Sequence, residues 1–416
     1  MFYGSVEVNK MKVLVIGGAG NIGTAVVQGA VKAGFDVYPV TRRKREWMNE
    51  HIHPIQGDWA NNDTAKNILE NTKYDVIVDG LLMQLPMAKR DLDLAKGHCK
   101  HFIFISSDGV YNRPAMEIKE DACINLHDIH WDIMYNKRKI ELYIDEKRSQ
   151  YPYMITTIRP SVTYGMDRIP CGILSRKNQW TLVDRIIKEK PIVFADDGGT
   201  LHPITPAEVF GDAVAGIFLN EKANGETYHV SNEHGYTWDE IAYSIGDLVG
   251  HRPKIVHVPV GWLKKYNRQL YIEIINDKFD TLTLDITKLR LISPNVNYNM
   301  ELKESLKDTI SYLRENKACE PMDENFNFMC DDILIKYSQV GLNEIEKRFA
   351  IDFIKTLSVR EINNIRHSAK KNAFKDYISY VYYELRKIAF KILPLRAVCF
   401  IRKIKKLLKA KGLCIA

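Results

Sequence analysis

A tyrosine and a lysine one helical turn apart could transfer a proton in this chain. Tyr135 and Lys139 are separated by four positions in Tyr135-Asn-Lys-Arg-Lys139, so a helix would place them on one face. The phenol of tyrosine is a poor base at neutral pH, but a neighbouring ammonium favours its charged form. Because Tyr/Lys pairs at this spacing are also common on protein surfaces, a catalytic role for the pair needs support from a further polar group nearby.

Ser107 supplies that second group. It ends the apolar run Phe102-Ile-Phe-Ile-Ser-Ser107, which is typical of a buried strand. Open α/β sheets hold ligands at the carboxyl ends of their strands, so the Ser107 hydroxyl can orient the oxygen whose proton Tyr135 moves. Asp108, the next residue, could contact the same substrate or cap a turn.

A glycine-rich run near the start of the chain is typical of a dinucleotide site. Glycines recur at every third position in Val13-Leu-Val-Ile-Gly-Gly-Ala-Gly-Asn-Ile-Gly23, directly after an apolar strand and before a helix. Such a turn lets the backbone approach a pyrophosphate at the helix N-terminus. The candidate cofactor residues of this turn are Gly17, Gly20, Asn21, Ile22 and Gly23.

The end of the second strand indicates which dinucleotide fits. An acidic residue there would bind the adenosine ribose, but this chain has Thr41, Arg42 and Arg43. Guanidinium groups suit a 2′-phosphate, so the sequence favours NADP over NAD, unless the turn is only a solvated basic surface. Asp58, at the end of the third strand, either accepts from the adenine amino group or is an ordinary loop aspartate.

The elements that must position these residues alternate along residues 12–165. Short apolar runs separated by helical stretches predict a parallel sheet covered on both faces, which is a doubly wound α/β fold. Residues 316–327 are polar and acidic and mark a plausible boundary. Beyond it we expect only helices, over residues 342–356, 359–369, 373–392 and 397–411.

Taken together, these motifs resemble the extended and atypical short-chain dehydrogenases/reductases, the NAD-dependent epimerase/dehydratase family. The matching pieces are the glycine turn, Ile105-Ser-Ser107-Asp-Gly-Val-Tyr111, Tyr135-x-x-x-Lys139 and Ile158-Arg-Pro-Ser-Val-Thr-Tyr-Gly165. The likeness is strongest to the branch of chloroplast stem-loop-binding proteins and bacterial sugar-epimerase homologues. It implies a Rossmann-type catalytic domain over residues 1–315, with residues 11–165 mainly cofactor-binding and residues 166–315 mainly a small substrate subdomain. Residues 316–416 would form a helical basic extension.

The same resemblance implies an enzyme with a nucleotide-sugar substrate and a homodimeric state. Ser107, Tyr135 and Lys139 would form the catalytic set, with Lys139 also holding the nicotinamide ribose. Pro160 and Ser161 would lie against the nicotinamide, and Tyr164 would contact substrate. The chain departs from the family's sugar 4,6-dehydratases, because Gly109 stands where they carry an acidic residue. We therefore expect an epimerase or a reductase, and no metal.

Composition and charge indicate the compartment and the possible partners of this protein. Seven scattered cysteines and no apolar leader predict a cytoplasmic protein. Residues 381–416 carry ten Lys/Arg against Glu384 alone, whereas the rest of the chain has a net charge of −2. Within residues 400–411, apolar residues recur at helical spacing between lysines, which suits an anionic membrane surface, a partner protein or the enzyme body, and less well RNA. Two alternatives stay open: an RNA-binding protein with little or no catalysis, and a reductase of a small non-sugar carbonyl compound.

Overall fold

The structure, a computed structural model, describes residues 10–392 except 45, 71, 130, 167, 196 and 197. The described chain divides into two units. The first comprises residues up to Pro170, Leu201–Tyr236 and Thr281–Thr309, and the second comprises Cys171–Thr200, Thr237–Asp280 and the residues from Ile310 onward. The C-terminal helices therefore group with two inserted segments. The predicted boundary between residues 315 and 316 falls near the end of a helix, Leu302–Asn316.

A parallel sheet forms the centre of the first unit. Within the described residues it has seven strands, in the order β3-β2-β1-β4-β5-β7-β11, and every neighbouring pair is parallel. These strands are β1 (Lys12–Ile16), β2 (Asp36–Thr41), β3 (Ile55–Gln56), β4 (Val76–Asp79), β5 (His101–Ile105), β7 (Met154–Pro160) and β11 (Thr227–Val230). The predicted doubly wound α/β fold is confirmed.

Helices cover both faces of this sheet. They are α1 (Asn21–Lys32), α2 (Asn62–Glu70), α3 (Leu85–Leu94), α4 (Asp132–Lys147) and α6 (Ala207–Ala215), with α9 (Thr287–Ile292) near its edge. Val13 and Val15 of β1 pack into the core shared with α1 and α6, and Leu14 and Ile16 pack into the opposite core. Alternate residues of one strand are thus buried on both sides, which explains its unbroken apolar sequence.

Smaller strand pairs complete the first unit. Strands β12 (Gly235–Thr237), β10 (Leu201–Pro206) and β8 (Val162–Tyr164) form one short sheet, and β14 (Leu282–Leu284) pairs with β6 (Ala115–Ile118). The third strand is short, because Ile52 makes only an isolated bridge to Val37.

The second unit is mainly helical in its described part. It contains α5 (Trp180–Ile187), α7 (Trp238–Val249), α8 (Arg268–Glu273), α11 (Glu324–Val340), α12 (Glu344–Lys355) and α13 (Val359–Ile392), beside the pair β9 (Ile192–Ala195) and β13 (Ile255–Val258). The helix α10 (Leu302–Asn316) begins in the first unit and ends in the second.

The helical C-terminal extension is confirmed, with two corrections to its elements. The separate helices expected over residues 359–369 and 373–392 are one helix, α13, because the polar residues between them stay helical. The acidic stretch expected to mark a boundary contains the start of α11, where Asp323 caps the N-terminus by accepting from the Asn325 and Phe326 amides. The helix expected over residues 397–411 lies outside the described residues.

Candidate active site

The glycine turn has an open side at Gly20. Gly17 has a φ of +86°, which favours glycine, and a Cβ at Gly23 would lie only 2.1 Å from the Gly17 carbonyl oxygen. A Cβ at Gly20 would meet nothing nearer than that same oxygen, at 3.8 Å. Gly20 also forms the N-cap of α1 without any side-chain cap. The turn is thus closed toward the protein and open where a pyrophosphate would approach.

The side chains of Asn21 and Ile22 face the protein. The Asn21 amide donates to the Thr163 carbonyl at 2.9 Å, which ties the start of α1 to β8. Ile22 packs against the core beneath α1 and α6. Any contact of these two residues with a cofactor would therefore come from their backbone.

The basic turn follows the end of β2, as expected. Thr41 is buried and its hydroxyl donates to the Arg43 carbonyl at 2.8 Å, while the Arg42 and Arg43 side chains are exposed. Asp58 is exposed, and its carboxylate accepts from the Ala60 amide at 3.1 Å. The two guanidinium groups are accessible to a phosphate, whereas Asp58 caps its own turn.

Ser107 lies directly after β5 and starts a short turn. Its hydroxyl accepts from the Gly109 amide at 3.1 Å. Asp108 is buried and forms an ion pair with Arg113 at 3.3 Å. A Cβ at Gly109 would lie 2.9 Å from the Met134 sulfur, so glycine here allows α4 to pack closely against this turn.

Tyr135 and Lys139 are neighbours on the outer side of α4. The Lys139 ammonium lies 5.6 Å from the centroid of the Tyr135 ring, and the tyrosine is 37% exposed. The inner face of the helix carries Met134, Ile140 and Ile144, which are buried. Among the described residues no hydrogen bond joins the Tyr135 hydroxyl to Ser107. The structure therefore brings the tyrosine and the lysine together but does not join them to the serine.

Lys137 is the lysine of α4 whose side chain lies against the end of β5, and its role was not predicted from the sequence. It is buried, and its ammonium donates to the carbonyls of Ile105 at 2.8 Å and Ser106 at 3.0 Å, at the end of β5. Burial lowers its pKa to about 8, although Glu141 and Asp79 oppose that shift. The residue one turn earlier on the same face is Ile133, so no phenol precedes the buried lysine there.

A buried ion pair fixes α4 beside Lys137. Glu141 accepts from Arg159 of β7 through two bonds of 3.0 Å and from the Ser106 hydroxyl at 2.6 Å. Burial alone would raise the pKa of Glu141, but the Arg159 charge outweighs it and holds the pKa below its ordinary value. Because Glu141 follows Lys137 by one turn, this pair holds the lysine against the sheet edge.

Asp79 ends β4, next to β5 in the sheet, and is completely buried. Burial and the nearby charge of Asp91 raise its pKa well above the ordinary range, and one of its oxygens accepts from the Leu81 amide at 2.9 Å. An acid that favours its neutral form therefore lies at the same edge as the lysine.

The remaining candidates are engaged within the protein. Pro160 ends β7, and the buried Ser161 hydroxyl lies 2.5 Å from that of Thr205. Tyr164 is wholly buried, with its hydroxyl bonded to Ser305. The predicted contacts of these three residues with cofactor or substrate stay predictions.

In the part of the chain that the structure describes, no group of three or more His, Cys, Asp or Glu side chains could hold a metal ion. No helix in that part is long and apolar enough to cross a membrane.

Comparison with known proteins agrees with the fold and with the family that the motifs resemble. Residues 13–80 match the model of the NAD dependent epimerase/dehydratase family. A 2′-dehydrokanamycin reductase of Streptomyces kanamyceticus is 22% identical over 258 residues, which are 62% of this chain and 72% of that protein. The chloroplast stem-loop binding protein of 41 kDa b of Arabidopsis thaliana is 24% identical over 60% of this chain and 66% of its own length.

Among solved structures, a UDP-glucuronic acid 4-epimerase of Bacillus cereus in complex with NAD has a TM-score of 0.58. It is 17% identical and covers 75% of this chain and 100% of that chain. The expected resemblance to the epimerase/dehydratase family and the Rossmann-type fold are confirmed.

Proposed function

Since residues 13–80 carry the NAD dependent epimerase/dehydratase signature on a matching fold, we propose that this protein is an NAD(P)-dependent epimerase or oxidoreductase acting on a nucleotide sugar. The observation that carries the proposal is the glycine turn, which is open at Gly20 and leads into α1. The nucleotide-sugar substrate is supported by the Bacillus cereus neighbour, whose name specifies UDP-glucuronic acid.

The residues around the proposed cofactor site suit a dinucleotide that carries a 2′-phosphate. Gly17, Gly20 and Gly23 would hold the pyrophosphate, and Arg42 and Arg43 would bind a 2′-phosphate. When bound, the nicotinamide supplies a hydride acceptor or donor. Replacing both arginines with alanine should weaken NADP binding about tenfold or more and leave NAD binding nearly unchanged, measured by titration calorimetry. Equal losses for both cofactors would contradict the preference for NADP.

Two residues are candidates for the group that transfers the proton. Tyr135 is the candidate from the sequence, but its ring lies on the outer side of α4. The Lys137 ammonium lies at the carboxyl end of β5, bonded to the carbonyls of Ile105 and Ser106, which directly precede Ser107 in the sequence. We favour Lys137 because its amine is buried at the edge where the fold holds ligands.

The geometry of Lys137 suits a proton shuttle. Two of its N–H bonds are directed at the Ile105 and Ser106 carbonyls. In the neutral amine this leaves the lone pair free to accept the proton of a substrate hydroxyl as the carbon loses hydride and becomes a ketone. In the charged form the third N–H returns that proton to the carbonyl oxygen when hydride comes back. The Ser107 hydroxyl would orient that oxygen.

The fate of the hydride separates the two kinds of enzyme. An epimerase returns it to the opposite face of the sugar, so no net absorbance change accumulates, whereas a reductase consumes reduced cofactor. The relative named 2′-dehydrokanamycin reductase favours net reduction of a sugar ketone as the second candidate. A screen of nucleotide sugars and free keto sugars with both cofactors, followed by absorbance and by NMR of the sugar, tests both. No reaction and no dinucleotide binding would overturn the proposal.

A further inference from the structure

The second unit contains a cavity that the C-terminal helices close. Its volume is about 230 Å³, below the roughly 300–1,000 Å³ of pockets that hold drug-sized ligands. Residues within 174–177 and 266–270 of the two inserted segments line one part of it, and residues from the start of α11 and the middle of α13 line the rest. All of them belong to the second unit, whereas the glycine turn belongs to the first. The cavity therefore forms without any residue of the proposed cofactor site.

Much of the cavity wall is apolar. Leu270 of α8, Phe326 and Met329 of α11 and Ala369 of α13 line the cavity and are buried. Because these side chains come from three helices that already pack together, the wall exists before any ligand arrives. A small hydrocarbon side chain placed against it would leave water, which favours binding.

Asp376 of α13 offers a hydrogen-bond acceptor to this cavity. Its Oδ2 accepts from the Arg268 amide at 2.7 Å, which leaves Oδ1 for a ligand. Burial raises the pKa of this carboxyl more than the Arg268 amide and charge lower it. The Arg268 guanidinium itself lies over the Tyr380 ring, 4.0 Å from its centroid. A half-buried carboxylate with an unused oxygen is best completed by an ammonium group.

Lys375, the preceding residue on α13, offers the opposite charge. It lines the same cavity and is half-buried, and among the described residues no hydrogen bond or ion pair engages its ammonium. The other charged side chains of the lining have partners of opposite sign, since Lys177 lies 3.9 Å from Asp323 and Arg176 pairs with Glu273. An unused cation therefore stands beside the unused carboxylate oxygen.

Two amides add uncharged polar groups to the cavity. The Asn372 amide of α13 donates to the Asn325 oxygen of α11 at 2.8 Å, which leaves the Asn372 oxygen and the Asn325 nitrogen for a ligand. Asn372 precedes Asp376 by one helical turn, so the two side chains share a face of α13. Their oxygens can accept from one ammonium, and the Asn325 nitrogen can donate to a carboxylate.

We propose that this cavity binds a free α-amino acid with an apolar side chain. The ligand carboxylate pairs with Lys375 and accepts from Asn325, its ammonium donates to Asp376 and Asn372, and its side chain lies against the apolar wall. A simple anion would leave the Asp376 oxygen without a donor, and a simple amine would leave the Lys375 ammonium without an acceptor. A zwitterion satisfies both groups.

The test measures binding of free amino acids to the full-length protein by titration calorimetry. Among L-leucine, L-isoleucine, L-valine, L-methionine and L-phenylalanine, at least one should bind with a Kd of about 1 mM or lower. Its N-acetyl derivative lacks the ammonium and its amide lacks the carboxylate, so each should bind about tenfold or more weakly. Glycine, which lacks the side chain, should also bind about tenfold or more weakly.

Two single variants test the same contacts from the side of the protein. Lys375→Gln and Asp376→Asn should each weaken binding about tenfold or more. Asp376→Asn keeps an oxygen that can accept from the Arg268 amide, so its melting temperature should stay close to that of the wild type. The control Lys370→Gln removes an exposed cation of the same helix that does not line the cavity, and it should leave binding unchanged.

Three results would overturn the proposal. The first is the absence of binding by all five amino acids up to about 10 mM. The second is binding of the N-acetyl derivative or the amide as tightly as the free amino acid. The third is wild-type affinity in both Lys375→Gln and Asp376→Asn. Because the modified amino acids are tested on the wild-type protein, the result stays decisive if a variant does not fold.

Discussion

At the scale of single residues, Lys137 has the most distinctive environment near the sheet edge. Its amine is buried and bonded to two carbonyls at the end of β5. The sequence did not identify it because Lys137, Arg138 and Lys139 are consecutive cations, and the spacing from Tyr135 favoured the last of them. The buried positions Met134, Ile140 and Ile144 place residue 137 on the inner face, and this periodicity was the available signal.

The pKa of Lys137 predicts a pH dependence for the proposed reaction. Burial lowers this pKa to about 8, so the neutral amine that accepts a proton becomes the main form above that pH. Oxidation of the substrate should therefore speed up as the pH rises through about 8, and reduction should slow down. Single-turnover rates in both directions would measure this. A pH-independent rate across the same interval would contradict a proton-transfer role for Lys137.

At the scale of elements, the glycine turn offers a matched pair of variants. Gly20 has an ordinary negative φ and open space around it, so Gly20→Val should fold normally but block the approach of a pyrophosphate. Gly23→Ala would place a methyl group 2.1 Å from the Gly17 carbonyl oxygen and should destabilise the fold by about 1–3 kcal/mol. Cofactor titration and thermal unfolding separate the two effects. Unimpaired cofactor binding by Gly20→Val would contradict the assigned site.

Some of the secondary-structure elements could be predicted from the sequence, and others could not. The main strands were predictable, since β1, β4 and β5 are buried on both faces and are therefore apolar except for one terminal residue each. The continuous helix α13 was not, because the polar run around Asn372 resembles a break, whereas the Asn372 side chain bonds to Asn325 within the fold. The orientation of Tyr135 could not be predicted either, because the four-residue spacing places two side chains together but does not determine which face of the helix is buried.

At the scale of the whole molecule, the C-terminal helices are part of the second unit rather than an appendage. His257 of β13 is bonded to Glu346 of α12 at 2.9 Å and to Asp239 of α7 at 3.0 Å. Burial lowers the pKa of His257, but its two carboxylate partners outweigh burial and raise the pKa to about 9. This charged triad links α12 to β13 and α7, which lie far before α12 in the sequence.

The triad predicts that the packing of α12 against β13 depends on pH. Because the folded pKa of His257 exceeds its unfolded value, its stabilising contribution is complete below about pH 6.5 and is lost as the pH rises through about 9. The contribution is at most about 2 kcal/mol, since the triad is partly solvated. Hydrogen exchange in α12, corrected for the intrinsic effect of pH, should show weaker protection at the alkaline end. The variant His257→Gln should remove this dependence, and an unchanged dependence in that variant would contradict the assignment.

We propose that this protein catalyses hydride transfer between a nucleotide sugar and a nicotinamide cofactor, with Lys137 moving the accompanying proton. The most direct measurement is the transient reduction of oxidised cofactor by a nucleotide sugar in a single turnover, followed by nicotinamide absorbance. We predict a signal in the wild type and in Lys139→Met, and a rate lower by about a hundredfold or more in Lys137→Met with cofactor still bound. A full signal in Lys137→Met together with its loss in Tyr135→Phe would contradict this account and return the role to the tyrosine.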